Sequence, residues 1–408
     1  MADQAAVAIP EPALTPEEMI GRARALRPML LDRQGECETL GRVSDEVNTA
    51  LVAAGFYRIV QPRRFGGYEF DVATFYKVMM EVSRGCPETG WVLALTAGHP
   101  LLLAAFPERA QVEAYGPDGE FRCPAAFNPP GTAIPEEGGY RITGNWVSAS
   151  GIDIGTHFIG MAVVKAEDPA APPTALQMIL ERGQFEVVDD WRVIGMQGTG
   201  SKRVDAADVF VPAYRTAQAV GPQRGAQALA TTRLYDNPMY QGRIQPFLIG
   251  EAVAVAVGAA RGALDLFEQS LWNKRSMFPP HTPRQDDPEY QGHYGRALAL
   301  IATAEAALVR AGEEYMDYAR QAAEGGPAFD EEKEHRLTLI EQQAMRLAWE
   351  AVELIFRTAG TSASAKRDAA IGRVFRNLAV IGTHPALQLD RAAVAAAKAR
   401  FAARAREN

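Results

Sequence analysis

The hydrophobic period of this chain changes twice, and few folds accommodate that order. From Thr15 to about Arg109 apolar residues recur at helical spacing, between about Phe121 and Arg215 the period is two, and after Pro222 the helical period returns. The middle runs "YRITGNWV", "FIGMAVVK", "TALQMILE" and "ADVFVP" are short and β-rich, with turn signals rather than helices between them. A parallel dinucleotide-binding sheet needs helices at those positions, so that fold is excluded. The order predicts an α+β, mostly α protein. An N-terminal helical domain (1–118) precedes a middle antiparallel β-barrel or sandwich (119–225) and a C-terminal four-helix bundle (226–408).

Local signals refine this outline. "TPEEM" reads as a helix start, with Thr15 as N-cap, Pro16 at the first position and Glu18 completing a capping box. "CPETGWVLALTAGHPLLLAAF" is apolar on nearly every side and predicts a buried helix. Bundle helices are expected near 245–275, 290–323, 330–358 and 384–405, with Gly360 as a C-terminal cap. The longest apolar run, Phe247 to Leu264, contains Glu251 and Arg261 and is mostly Ala, Val and Gly, which favours a tightly packed buried helix over a membrane span.

A formal charge of -8 and a pI near 5.5 argue against nucleic acid as the main partner. Cys37, Cys86 and Cys123 lie far apart and form no CxxC pair, and the acidic first residues have no basic, then apolar, leader pattern. These features predict a cytoplasmic protein without a disulfide frame, a membrane span or a metal site. There is no HExxH, no GxSxG and no strand-to-helix GxGxxG; "GMQGTGSK" imitates a phosphate loop, but Ser201 and Lys202 stand in the wrong order and a strand follows.

Two stretches call for explanation. In "YRITGNWVSASG", a period of two puts Ile142, Gly144, Trp146, Ser148 and Ser150 on one face, with small hydroxyl residues where packing favours Val and Ile. In "GMQGTGSKRV", backbone N–H groups and hydroxyls are concentrated in a turn able to hold a phosphate or the polar edge of a ring. Residues alone leave two readings open: a strand end and an ordinary glycine turn, or a platform for a flat cofactor. His99 in "TAGHP" and His384 in "GRVFRNLAVIGTH" each end an apolar run.

Taken in order, "LVAAGFYRIVQPRRFGGYEFD", "CPETGWVLALTAGH", "GGYRITGNWVSASGID", "WRVIGMQGTGSKRVDAADVFVP" and "GRVFRNLAVIGTH" resemble the acyl-CoA dehydrogenase fold. Within it they are similar to the group D, two-component flavin-dependent monooxygenases, the group that includes the p-hydroxyphenylacetate hydroxylases. The resemblance spans nearly the whole chain. It implies reduced FMN or FAD delivered by diffusion from a separate flavin reductase, reaction with O2 through a C4a-hydroperoxyflavin, and hydroxylation of an aromatic, phenolic substrate.

The resemblance also implies site roles. Ser150, or failing it Ser148, would lie at the reactive edge of the flavin; Gly198, Thr199, Gly200 and Ser201 would contact the flavin, as would Trp146 and Asn128. His384 would serve the flavin's proton chemistry, and His99 the substrate's hydroxyl. A homotetramer is implied. Asn377, Gln197 and Ala125 depart from the usual pattern, and Asn377 removes an expected ion pair. Alternatives are an acyl-CoA dehydrogenase, for which Glu251 would be the base, an N- or S-oxidising monooxygenase of the same fold, and a flavin-free scaffold.

Overall fold

The computed structural model describes residues 6–165, 174–218 and 234–407. The expected boundary at 225/226 between the middle and C-terminal domains lies outside the described residues. So does the expected turn at "DPAAPP".

The N-terminal lobe contains α1 (Pro16–Leu40), α2 (Asp45–Ala53), α3 (Val72–Gly85), α4 (Pro87–Ala97), α5 (Pro100–Leu103) and α6 (Glu108–Tyr115). The capping box forms as expected: Glu18 N–H donates to Thr15 Oγ1 at 3.2 Å and Thr15 N–H donates to Glu18 Oε2 at 2.9 Å. The single buried helix predicted over "PETGWVLALTAGHPLLLAAF" is broken at Gly98-His99-Pro100, because Pro100 cannot donate to the helical ladder and its ring clashes with the preceding turn. That break turns His99 into the interior.

The middle lobe holds β1 (Ala125–Glu136), β2 (Gly139–Ala149), β3 (His157–Val164), β4 (Thr174–Glu181), β5 (Glu186–Val188), β6 (Lys202–Pro212) and β7 (Thr216–Gln218) in one sheet, ordered β5-β6-β2-β1-β3-β4-β7. It is antiparallel except for β1 and β3, which run parallel. Trp146, Phe158, Met178 and Phe185 fill its core.

The expected alternation along β2 fails near its end. Pairing with β6 slips between Trp146 and Ala149, with Ser148 at φ 62 inside the slip. This bulge puts Ala149 in the core, exposes Val147 and Ser148, and buries Ser150. Ser148 and Ser150 therefore do not extend the Trp146 face, a correction to the period-two reading.

The C-terminal lobe is formed by α7 (Ile244–Asn273), α8 (Pro288–Ala323), α9 (Glu331–Thr358), α10 (Thr361–Ser364), α11 (Ala370–Ile381) and α12 (Leu389–Glu407). Four of these match the expected bundle helices, α12 starting later than predicted; α11 was not anticipated. Ala359, not Gly360, takes the C-cap position of α9, its N–H donating to the Ile355 carbonyl; Gly360, at φ 89 and ψ 154, lies outside the left-handed helical region and precedes α10, a correction to the expected glycine cap. Helix α7 is the one described helix long and apolar enough to cross a membrane, yet 89% of its most apolar window is buried within the protein.

Its small residues have a packing cause. A Cβ at Gly250 would lie 2.0 Å from Tyr76 Oη, one at Gly258 2.3 Å from the Met80 carbonyl, and one at Gly262 2.5 Å from the Arg84 carbonyl. The glycines thus cut a groove in which α3 lies directly on α7. Arg84 closes its far end with two 2.6 Å hydrogen bonds to Asp265.

Candidate functional site

The two unexplained motifs meet. Ser150, just past the β2 bulge, lies 2.7 Å from Ser201 Oγ, and Ser201 Oγ lies 2.6 Å from Thr199 Oγ1. At the ends of this row, Trp91 Nε1 donates to Ser150 Oγ at 3.0 Å and Thr199 Oγ1 donates to the Met196 carbonyl at 2.8 Å. An indole N–H can only donate and a carbonyl can only accept, so the row has one polarity. Trp91 donates to Ser150, Ser150 to Ser201, Ser201 to Thr199, and Thr199 to Met196. Ser150 has spent its only proton inside the protein and keeps an acceptor lone pair.

The turn is held from a distance. Gly151 N–H donates to the Thr199 carbonyl at 2.9 Å, joining the two motifs through the backbone. Glu88 on α4 accepts from Gly198 N–H at 2.9 Å, and Asn377 on α11 accepts from Met196 N–H at 2.7 Å. Met196 and Gly200 both have positive φ. At Gly200 a side chain is also barred by contact, since a Cβ would sit 2.4 Å from Asp153 Oδ2. Arg376 donates to the Ile194 carbonyl and pairs with Glu38 of α1 at 2.9 Å, so it has an ion pair although Asn377 is no aspartate.

His384 reaches the same place from the C-terminal lobe. Its ring stands edge-on to Trp91, with 5.8 Å between centroids at 67°. Ala386 N–H donates to His384 Nδ1 at 3.3 Å, which places the imidazole proton on Nε2. Much of the residue's surface is exposed, but neighbouring atoms desolvate the ring and lower its pKa, so it is neutral near pH 7. Trp91 is thus the junction of the site: its N–H fixes Ser150 and its ring seats His384. Sequence reasoning missed it; the available signal was its spacing of eight residues from His99 along an apolar helical run.

Of the expected residues, Ser150, Gly198, Thr199, Ser201 and His384 converge on Trp91 and the turn, and Gly200 supplies the turn's geometry. Trp146 is fully buried in the middle-lobe core and donates to the Met161 carbonyl at 2.8 Å, so packing accounts for it. Ser148 is exposed on the bulge and Asn128 is exposed on β1. His99 is paired instead with the Cys123 carbonyl at 2.6 Å. No cluster of metal-ligating side chains occurs among the described residues.

The residues fit a flavin. An aromatic platform, an acceptor at Ser150, a free N–H on His384 and a cradle of small residues are the groups a planar, polar-edged ring system requires. Reduced flavin has an N–H on its central ring where oxidised flavin has a bare nitrogen, and the spare lone pair of Ser150 complements the reduced form.

This seat, where a helical lobe, a β lobe and a helical bundle meet, places the chain in the acyl-CoA dehydrogenase fold class. Residues 251–389 match the family described as acyl-CoA dehydrogenase, C-terminal domain. The chain is 32% identical to a pigment production hydroxylase of Rhodococcus sp., over 93% of this chain and 95% of that protein. It is also 32% identical to the HsaA oxygenase subunit of a flavin-dependent monooxygenase of Rhodococcus jostii, over 72% of this chain and 78% of that one. The solved structure of XiaF from Streptomyces sp., in complex with FADH2 and glycerol, superposes with a TM-score of 0.86 at 25% identity, covering 95% of this chain and 96% of that one. The chain belongs to the flavin-dependent monooxygenases of this fold, as an oxygenase component. Family membership sets aside the dehydrogenase and scaffold alternatives.

Proposed function

We propose that this oxygenase component takes reduced FMN or FAD from a separate flavin reductase by diffusion and hydroxylates an aromatic, phenolic substrate with O2. The observation that carries the reading is the one-way hydroxyl row ending on Ser150 beside Trp91 and His384. Bound reduced flavin would supply two electrons, so that one oxygen atom enters the substrate and the other leaves as water. The chain's own contributions are separate from that chemistry. Ser150 accepts a hydrogen bond and thereby orients the ring, while the neutral His384 holds a proton on Nε2, a donor suited to proton delivery at the ring's edge.

The test is to titrate the purified protein anaerobically with reduced FMN and, separately, reduced FAD, then admit O2 with and without simple phenols. Hydroxylated product in proportion to the reduced flavin consumed supports the reading. Reoxidation at the rate of free flavin, with all oxygen appearing as H2O2, overturns it.

The reading includes a homotetramer and a cytoplasmic location. Trp272, Met277 and Phe278 are 67%, 77% and 76% exposed at the end of α7, a patch suited to subunit packing. Sizing should give four times 44.2 kDa, about 177 kDa. A 44.2 kDa species would remove the tetramer.

A further inference from the structure

Five glutamines are buried among the described residues, and four of them tie down backbone. Gln34 Nε2 donates to the Gly85 carbonyl at 2.8 Å, Gln61 Nε2 to the Phe65 and Gly119 carbonyls at 2.6 and 2.9 Å, Gln111 Nε2 to the Phe106 carbonyl at 2.7 Å and Gln342 Nε2 to the Ala386 carbonyl at 2.9 Å. Gln177 of β4 is the exception. It is 0% exposed, and neither its Oε1 nor its Nε2 has a hydrogen-bond partner. A buried carboxamide unpaired at both ends opposes folding, and a methionine of nearly the same shape would avoid that cost. Packing therefore gives no reason for an amide at this position.

The strand fixes where the amide points. Leu176, Met178 and Leu180 belong to the core of the sheet, whereas Ile179 joins the core of the helical lobes. Alternation along β4 thus turns Gln177, with Ile179, toward the helical side. Pairing with β3 is in unbroken register and sets Gln177 opposite Met161; β7 sets Ala217 on its other flank. Ala175, Met161 and Ala217, its neighbours on that face, are only half-buried. Solvent comes within one side chain of the amide, past two methyl groups and a methionine, the most adaptable of apolar side chains.

The same face leads to the seat. On β3, Ile159 pairs with Ile179 of β4 and with Ala125 of β1, and the strand starts at His157, soon after Ser150. From His157 to Met161 the strand runs away from the seat by about 13 Å. A substituent leaving the seat along this face reaches Gln177 at about that distance.

We propose that Gln177 is a specificity residue for the substrate's side chain, its carboxamide pairing with a neutral carboxamide on that chain through one N–H···O bond in each direction. This rests on the oxygenase reading above and adds to it the part of the substrate remote from the oxidised ring. A carboxamide satisfies both ends of Gln177 at once, whereas a ketone or an ether can only accept from Nε2. A carboxylate would bring a charge into a place where Ala175, Met161, Ile179 and Ala217 offer no cation to meet it.

The probes are 4-hydroxyphenylalkanamides of increasing chain length, each compared with the alkylphenol of the same length by anaerobic calorimetric titration in the presence of reduced flavin. The wild-type protein should bind the amide at least about tenfold more tightly than its alkyl counterpart at one best length, with the ratio falling on either side. Gln177→Met, matched in shape and without donor or acceptor, should abolish that maximum and leave alkylphenol binding within about twofold of wild type. It should also unfold at a higher urea concentration than the wild type, because it removes an unpaired buried amide; an amide serving the fold would give the opposite shift. No measurable amide binding, a ratio near one at every length, a maximum that survives in Gln177→Met, or a lower urea midpoint for that variant would overturn the proposal. Failure of the oxygenase reading is seen separately, in wild-type protein with no aromatic present: reduced flavin that reacts with O2 as free flavin does would sink that reading, whatever the amide ratio.

Discussion

Ser201→Ala probes the polarity of the hydroxyl row. In the wild-type protein Ser201 Oγ accepts from Ser150 at 2.7 Å and donates to Thr199 at 2.6 Å. Removing that oxygen deprives two buried hydroxyls of one partner each, at about 1 kcal/mol per lost bond, so the fold should weaken by about 2 kcal/mol and survive. The functional effect is sharper. Without Ser201 the Ser150 proton has no acceptor inside the protein and can turn toward the ligand, matching the bare ring nitrogen of oxidised flavin instead of the N–H of reduced flavin. Exchanging a matched for a mismatched hydrogen bond is worth about 1.4 kcal/mol, so the preference for reduced over oxidised flavin should fall roughly tenfold. Fluorescence quenching measures the oxidised form, and anaerobic titration the reduced form. A ratio within about twofold of wild type, in a variant whose unfolding curve shows the expected loss, would refute the one-way row as the basis of redox preference.

His384→Ala removes the Nε2 donor beside Trp91; the yield of hydroxylated product per reduced flavin should fall by about 10²-fold, with H2O2 taking its place, and an unchanged yield would dismiss His384 from the chemistry. Glu88 is fully buried with its pKa pushed up to about 7 by burial, from an ordinary 4.5. Because the folded value is the higher, the stabilisation by its proton is complete below about pH 4.5 and lost as pH rises through about 7, a change of about 3 kcal/mol. Glu88→Gln should remove most of that fall from the unfolding free energy measured with urea between pH 5 and pH 8, and parallel wild-type and variant pH profiles would contradict it.

The three lobes were legible because periodicity reports which faces are buried, and the Thr15 capping box because it depends on residues close in sequence. The β2 bulge was not legible: "WVSASG" continues a period of two until pairing with β6 decides where the extra residue is accommodated. Helix α11 had a signal that went unread, with Ile371, Val374, Leu378 and Ile381 at spacings of three and four and all buried. The break at Gly98-His99-Pro100 also had its signal in Pro100, overridden by the apolar run on either side. Both site motifs were recognised as unusual, and the partner that joins them was not. Trp91 looks like any core tryptophan until the fold brings "SASG" to its indole nitrogen.

The supports of the turn explain why no lobe contains the site alone. Glu88 holds Gly198 from 110 residues away, and Asn377 holds Met196 from 181 residues away. Gly195 allows the same approach, since a Cβ there would lie 2.3 Å from the Arg376 carbonyl. The Glu88 and Asn377 supports end on backbone N–H groups, which every residue type but proline possesses and which no sequence pattern advertises. A middle lobe taken by itself would keep both motifs and lose Trp91, Glu88 and Asn377, leaving Ser150 without its donor and two buried N–H groups of the turn unpaired. The seat therefore forms only when α4 and α11 close on the β lobe, and the polarity of Ser150 follows from that closure.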